Sequence, residues 1–151
     1  MEIFSFSFYL YLIVIVALIT IVKVVFLSAT FEKPKPRKLL IRSEYKFYFT
    51  LKEAFPEYVI LVQVGFAAML QAKHRATVNR FLAKRADYVI CDQELNILLI
   101  VELDGTSHFG REKEDKKRDK LLTDAGYKIV HLKNIPSPQE TRKMLLSYMN
   151  N

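Results

Sequence analysis

The sequence predicts a small α/β domain, with a mixed sheet of roughly four strands flanked by helices, carried behind one N-terminal transmembrane helix. Three observations predict it. A charge-free apolar run opens the chain, helix and strand signals alternate after it, and two strand-like runs, Asp87 to Cys91 and Ile97 to Leu103, are separated only by the polar turn Asp92-Gln93-Glu94-Leu95-Asn96.

From Ile3 to Val22 no residue is charged, and nearly every residue as far as Leu27 is apolar. This meets the ~20 residues needed to cross a hydrocarbon core at ~1.5 Å per residue. Lys23 can snorkel to the interface. The aromatic and β-branched residues (Phe4, Phe6, Phe8, Tyr9, Tyr11) would suit strands in water, but an open strand in lipid leaves its backbone groups unpaired, so a helix is expected. The run is too long for a buried core helix. Leu27-Ser28-Ala29 ends in small residues as a cleavage site would, yet the charged n-region of a signal peptide is missing and the apolar run is overlong. Four basic residues follow the span in Lys33-Pro34-Lys35-Pro36-Arg37-Lys38 and none precedes it. The positive-inside rule then predicts a single-pass protein of the inner (cytoplasmic) membrane, N-terminus outside and C-terminal domain in the cytosol.

Residues 1–28 are thus read as the membrane helix, 29–40 as a basic Pro/Lys linker, and 41–151 as one compact domain. The 151 residues carry 23 Lys and Arg against 16 Asp and Glu, a formal charge of +7. Residues 1–32 contribute Glu2, Glu32 and Lys23, a net −1, which leaves +8 on the rest. Such an excess favours an anionic partner and does not by itself separate phospholipid from nucleic acid. The single cysteine, Cys91, cannot form an intrachain disulfide; in its apolar run it reads as a structural thiol in a reducing compartment.

Within the domain, Ser43 is the expected N-cap of a helix over Glu44 to Ala54, where Phe47, Leu51, Ala54 and Phe55 keep helical spacing and Pro56 follows. Tyr58 to Val64 is β-rich. Residues 66–85 give only a weak helix or irregular structure. After the hairpin, a charged helix runs through Leu121 and Leu122 to a Gly126 C-cap, and Lys128 to Leu132 is another strand. Ser137-Pro138-Gln139-Glu140 is a capping box with proline at the first helical position, opening a final helix through Met149.

Chemistry is expected at the hairpin. With a Gln93–Asn96 loop, Asp92 pairs with Ile97, and the same register sets Asp87 opposite Glu102, with Cβ atoms ~5 Å apart. Asp104, two residues on, shares their face. The intervening residues are apolar on both faces, so the hairpin is central, and like charges opposed there are costly. A divalent cation removes the repulsion: Mg²⁺ takes oxygen ligands from one or two carboxylates, water and substrate phosphates. His108 is placed to act as general base or phosphate contact, its alternative being an exposed loop histidine. Glu44 would add a fourth carboxylate if its helix crosses the strand ends; otherwise it sits favourably at a helix N-terminus.

The run Ala86-Asp87-Tyr88-Val89-Ile90, then Ile100-Val101-Glu102-Leu103-Asp104-Gly105 with Ser107-His108, then Asp115, Arg118-Asp119, Leu122 and Ala125-Gly126-Tyr127 resembles the PD-(D/E)XK restriction-endonuclease-like superfamily. Within it the chain is similar to the branch around the very-short-patch-repair endonuclease and to an uncharacterised bacterial domain family with a Glu-x-Asp-Gly-x-x-His run. The resemblance covers roughly Ile41 to Lys133. It implies a four-stranded mixed sheet flanked by helices, a first-helix acid at Glu44, metal-binding acids at Asp87 and Glu102, and phosphodiester cleavage with Mg²⁺ or Mn²⁺; Asp104 is a third candidate metal ligand from the hairpin reading alone. Ala86 stands where the superfamily often has proline, and Asp104 where its pattern has lysine. A lysine orients water and offsets transition-state charge, which Asp104 does not do in the same way. Lys117, Lys84 and Arg118 are the candidates to supply the missing basic role, and Lys84, Arg85 and Arg118 those to hold nucleic-acid phosphates.

Three functions follow: a membrane-anchored Mg²⁺-dependent endonuclease acting on nucleic acid, a catalytically silent domain that binds nucleic acid or protein, and a structural membrane subunit whose basic face meets lipid. No helix-turn-helix, zinc motif or aromatic stacking run is present in the sequence, so phosphate contacts without sequence readout are expected.

Overall fold

A computed structural model describes residues 2–29, 33–104 and 112–150. His108, with Gly105 and Ser107, lies outside the described residues. The chain divides into two units, Met1–Arg37 and Lys38–Asn151.

The first unit is helix α1 (Glu2–Ala29) and the start of the linker. Its Ser7–Leu27 segment has a mean hydropathy of 2.9 and no burial, and among the described residues it is the one helix long and apolar enough to cross a membrane. Thr20, polar within that segment, donates its hydroxyl to the Val16 and Ala17 carbonyls at 3.0 and 2.8 Å, so its hydrogen-bonding group is satisfied inside the helix.

The second unit is a mixed α/β domain. Four strands, β1 (Val59–Gly65), β2 (Arg85–Cys91), β3 (Ile97–Leu103) and β4 (Ile129–Leu132), form one sheet in the order β1-β2-β3-β4. The first two pairings are antiparallel and β3 with β4 is parallel. The long apolar runs are therefore the two central strands, as their burial on both faces requires. Helices α2 (Arg42–Ala54) and α6 (Pro138–Met149) cover one face: Phe47, Leu51 and Leu145 bury against Tyr88, Ile90, Leu99, Val101 and Val130. On the other, Phe66 of α3 (Phe66–Met69), Phe81 beyond α4 (Arg75–Asn79) and Leu122 of α5 (Glu112–Asp124) pack with Val89 and Ile100. Strand alternation thus sorts the side chains of β2 and β3 between two cores.

The C-terminal end of α5 closes as a Schellman motif. Gly126 N–H donates to Thr123 O and Tyr127 N–H to Leu122 O, both at 3.0 Å, while Gly126 takes φ +90°. At α6, Ser137 accepts from the Glu140 amide and Glu140 accepts in return from the Ser137 amide, the expected capping box. Arg142 of α6 donates to Ala54 O and pairs with Glu57, each at 2.6 Å, placing a cation on the C-terminal end of α2.

Two local expectations need correction. The N-cap of α2 is Ile41 rather than Ser43: the Glu44 carboxylate accepts the Ile41 amide at 2.8 Å, which starts the helix two residues earlier without a side-chain cap. In the hairpin, Asp92 does not pair with Ile97. Its carboxylate accepts the amides of Glu94 and Asn96 at 2.9 and 2.8 Å, and Leu95 takes φ +65°. This closes a three-residue loop, a type I turn followed by a left-handed residue. Cys91 accordingly faces Ile97, and an irregularity between Ile90 and Cys91 shifts the ladder so that Ile90, Val89 and Tyr88 face Leu99, Ile100 and Val101. The bulge restores the register expected for the far end of the hairpin.

Candidate acidic site at the strand ends

The last backbone pair of β2 and β3 is Tyr88 with Val101. One residue beyond it, the Asp87 carboxylate accepts the Leu103 amide at 3.1 Å. Glu102 points, by alternation with Ile100, to the face covered by α5 and is 3% exposed. Burial, with the nearby Asp87 and Asp119 charges added, overcomes the attraction of Arg118 and His131 and pushes the Glu102 pKa up to about 8. Its Oε2 lies 3.7 Å from an Arg118 nitrogen of α5, whereas Oε1 is buried with no hydrogen-bond partner among the described residues. Such an oxygen carries a desolvation cost without compensation.

Beside Glu102 on the parallel neighbour stands His131. Its Nδ1 lies 3.0 Å from Asp104 Oδ1 and its Nε2 3.0 Å from Asp119 Oδ2. A neutral imidazole has one donor and one acceptor nitrogen, so a carboxylate at each ring nitrogen favours the doubly protonated ring. Burial opposes that charge, but the bond to Asp104 and the charges of Asp119, Asp104 and Glu102 outweigh it and raise the His131 pKa. Arg118 Nε is 3.6 Å from the other Asp119 oxygen. Two cations therefore sit among Asp87, Glu102, Asp104 and Asp119.

On β1, Gln63 falls between the pairs Val62 with Tyr88 and Val64 with Ala86, opposite Asp87. It takes φ +52°, a conformation that costs a non-glycine residue about 1 kcal/mol, and its Nε2 is 3.5 Å from Asp87 Oδ1.

The remaining predicted residues fall elsewhere. The Glu44 carboxylate is engaged at its own helix N-terminus, and α2 covers the sheet face opposite to Glu102, so Glu44 does not join the cluster. Lys117 is exposed on α5, Arg85 is exposed at the start of β2, and Lys84 is half-buried just before it. Arg118 turns inward to Glu102 and Asp119. His131, Asp119 and Gln63 escaped the sequence reading as site residues. The signal for His131 was strand parity: in an apolar strand it shares a face with Ile129, which packs toward α5.

Among the described residues no three His, Cys, Asp or Glu side chains are grouped so as to hold a metal by themselves. Asp87 and Glu102 remain as a pair of hard oxygen donors, one of them with a buried oxygen unpartnered among the described residues, which fits a cation that keeps water and substrate ligands.

Comparison with curated proteins and with solved structures finds no match. The family described as "Protein of unknown function (DUF2726)" matches residues 36–147, from the linker through the sheet and into α6. By that match over most of its length, the chain belongs to the DUF2726 family.

Proposed function

We propose that this domain has the restriction-endonuclease-like fold of the PD-(D/E)XK superfamily and hydrolyses nucleic-acid phosphodiesters with Mg²⁺ or Mn²⁺. It does so at the cytoplasmic face of the inner membrane, anchored by α1. The observation that carries this reading is Glu102: a carboxylate buried at the end of a central strand, beside Asp87, with one oxygen unpartnered among the described residues. Uncompensated burial of an acid is expensive, and a site that binds a cation gives it a reason.

Asp87 and Glu102 would hold the cation, with Asp104 next to them. When bound, it would neutralise phosphate charge and lower the pKa of a water. Asp87 is oriented for this role by the Leu103 amide and Gln63. The His131 imidazolium and Arg118 bring positive charge beside Glu102 and would take the place of the superfamily's lysine. Lys84, Arg85 and Lys117 would contact backbone phosphates without reading sequence. In the reaction, water oxygen bonds to phosphorus as the bond to the departing sugar oxygen breaks; water gives up a proton, and the departing oxygen gains one. His108 is the candidate proton acceptor.

The test incubates the full-length protein in detergent with linear, circular and structured nucleic acids, with Mg²⁺, with Mn²⁺ and with chelator. Cleavage that requires metal and is lost in Asp87→Ala and Glu102→Ala supports the reading. Tight, salt-sensitive binding without cleavage selects a catalytically silent binding domain. That second reading has its own observation, since both His131 ring nitrogens are engaged by carboxylates and neither is left to act as a base. No binding to nucleic acid overturns both and leaves a structural membrane subunit.

A further inference from the structure

Helix α2 has an apolar face that the fold does not use. Phe47, Leu51 and Ala54 point into the core. Ile41, Tyr45 and Phe49, four residues apart on the opposite side, are 63%, 59% and 49% exposed. The rings of Tyr45 and Phe49 meet at a tilt of 57° with 4.9 Å between centroids, and Tyr48 meets Phe49 edge-on at 5.2 Å. Leu39, two residues before Ile41, is exposed as well. Arg42, Lys46 and Lys52 flank the face, all exposed, against the single exposed acid Glu53. In water an aromatic cluster of this kind is a liability.

We infer that the outer face of α2 lies on an anionic lipid surface, with Tyr45 and Phe49 at the headgroup level and Arg42, Lys46 and Lys52 on the phosphates. Charge complementarity argues for this occupant: aromatic residues with basic flanks are the composition of helices that rest in the interface plane. Tether length argues for it as well. Only twelve residues separate α1 from α2, and at ~3.5 Å each they keep the helix within about 40 Å of the end of a membrane span. Those residues include Lys33, Lys35, Arg37 and Lys38, each of which adds attraction to anionic lipid. Because α2 and the acidic site occupy opposite faces of the sheet, lipid on α2 leaves Asp87 and Glu102 on the side away from the bilayer.

The chain contains no tryptophan, so Phe49→Trp gives a single reporter in the full-length protein. The variant is reconstituted into vesicles of phosphatidylcholine alone or mixed with phosphatidylglycerol, with nitroxide quenchers carried on the lipids near the headgroup or deep in the chains. The expected result is a blue-shifted emission in the anionic vesicles, quenched more by the shallow nitroxide than by the deep one. Both the shift and the quenching should be lost when Arg42, Lys46 and Lys52 are replaced by Glu in that background. Water-like emission unquenched by lipid in anionic vesicles overturns the inference. So does a blue shift that no lipid nitroxide quenches and that grows with protein density, which would mean a second copy covers the face. Circular dichroism of the charge-reversed variant confirms that α2 is retained, so that loss of quenching reports lost lipid contact.

Discussion

His131 Nδ1 lies 3.0 Å from Asp104 Oδ1, joining the end of β3 to β4 through side chains just where the parallel strands run out. The ring's other nitrogen holds Asp119, so one imidazolium ties α5 to the sheet and brings Arg118 against Glu102.

His131→Ala should therefore loosen α5, taking the ring from Asp104 and leaving Asp119 with Arg118, at a cost of about 1–2 kcal/mol after allowing for solvent on one side of the ring. The His131 pKa is raised in the folded protein. Its contribution is therefore present in full below the ordinary histidine range and fades as pH rises through the raised value. Denaturant unfolding of wild type and variant across this range should show the difference shrinking toward alkaline pH. A constant difference would mean that His131 acts by packing alone.

Glu102 predicts a second pH dependence. Its pKa stands at about 8 in the folded chain, so the folded state binds this proton more tightly than the unfolded one. The stability it confers is complete below the ordinary carboxyl pKa and is lost as pH rises through about 8. In chelator, wild type should lose stability from mildly acidic to mildly alkaline pH by on the order of a few kcal/mol relative to Glu102→Gln. Divalent metal should reverse part of that loss, because the ligand must be deprotonated to bind. Parallel pH profiles for the two proteins would remove the basis for a strained acid at this position.

Tyr88 is wholly buried and donates its hydroxyl to the Glu44 carbonyl at 2.6 Å, fixing the first turn of α2 to β2. Burial, with the Glu44 and Asp87 charges, raises its pKa far above the usual phenol value, so it stays a donor throughout the working range. Tyr88→Phe should cost about 1–2 kcal/mol and increase amide exchange in the first turn of α2, read by hydrogen-exchange mass spectrometry. The ring contact with Phe47 at 5.1 Å is retained in this variant, which isolates the hydroxyl.

Gly126→Ala meets no neighbour within 4 Å, so its effect isolates the backbone conformation at φ +90°. A side chain there should cost about 1–2 kcal/mol. Gly126→Asn should cost less than Gly126→Ala, since Asn tolerates the left-handed region. Thermal unfolding of the two variants checks the order.

Much of this protein was legible in the sequence because the governing interactions are local. An uninterrupted apolar run has only the helical way to satisfy its backbone in lipid. Ser137 to Glu140 and Gly126 act through hydrogen bonds within a few residues, and both ends formed as their residues imply. The central hairpin announced itself by apolar residues on both faces. Its register was reached for a reason the sequence did not supply. The loop is one residue shorter than expected because Asp92 accepts the amides of Glu94 and Asn96, and the irregularity at Ile90 and Cys91 cancels the slip before it reaches Tyr88.

Only tertiary structure decided the composition of the acidic site. Asp87 and Glu102 are close in a local hairpin, and reading them needed one pairing. His131 and Asp119 enter through a helix crossover between β3 and β4, and Gln63 enters across β1, so their proximity depends on strand order and on the rotation of α5, which no short spacing encodes. Glu44 shows the converse. Its place near a helix N-terminus was visible in the sequence, but whether its carboxylate would reach the strand ends depended on which sheet face α2 covers. The core set that face by burying Phe47 and Leu51 on the side away from Glu102.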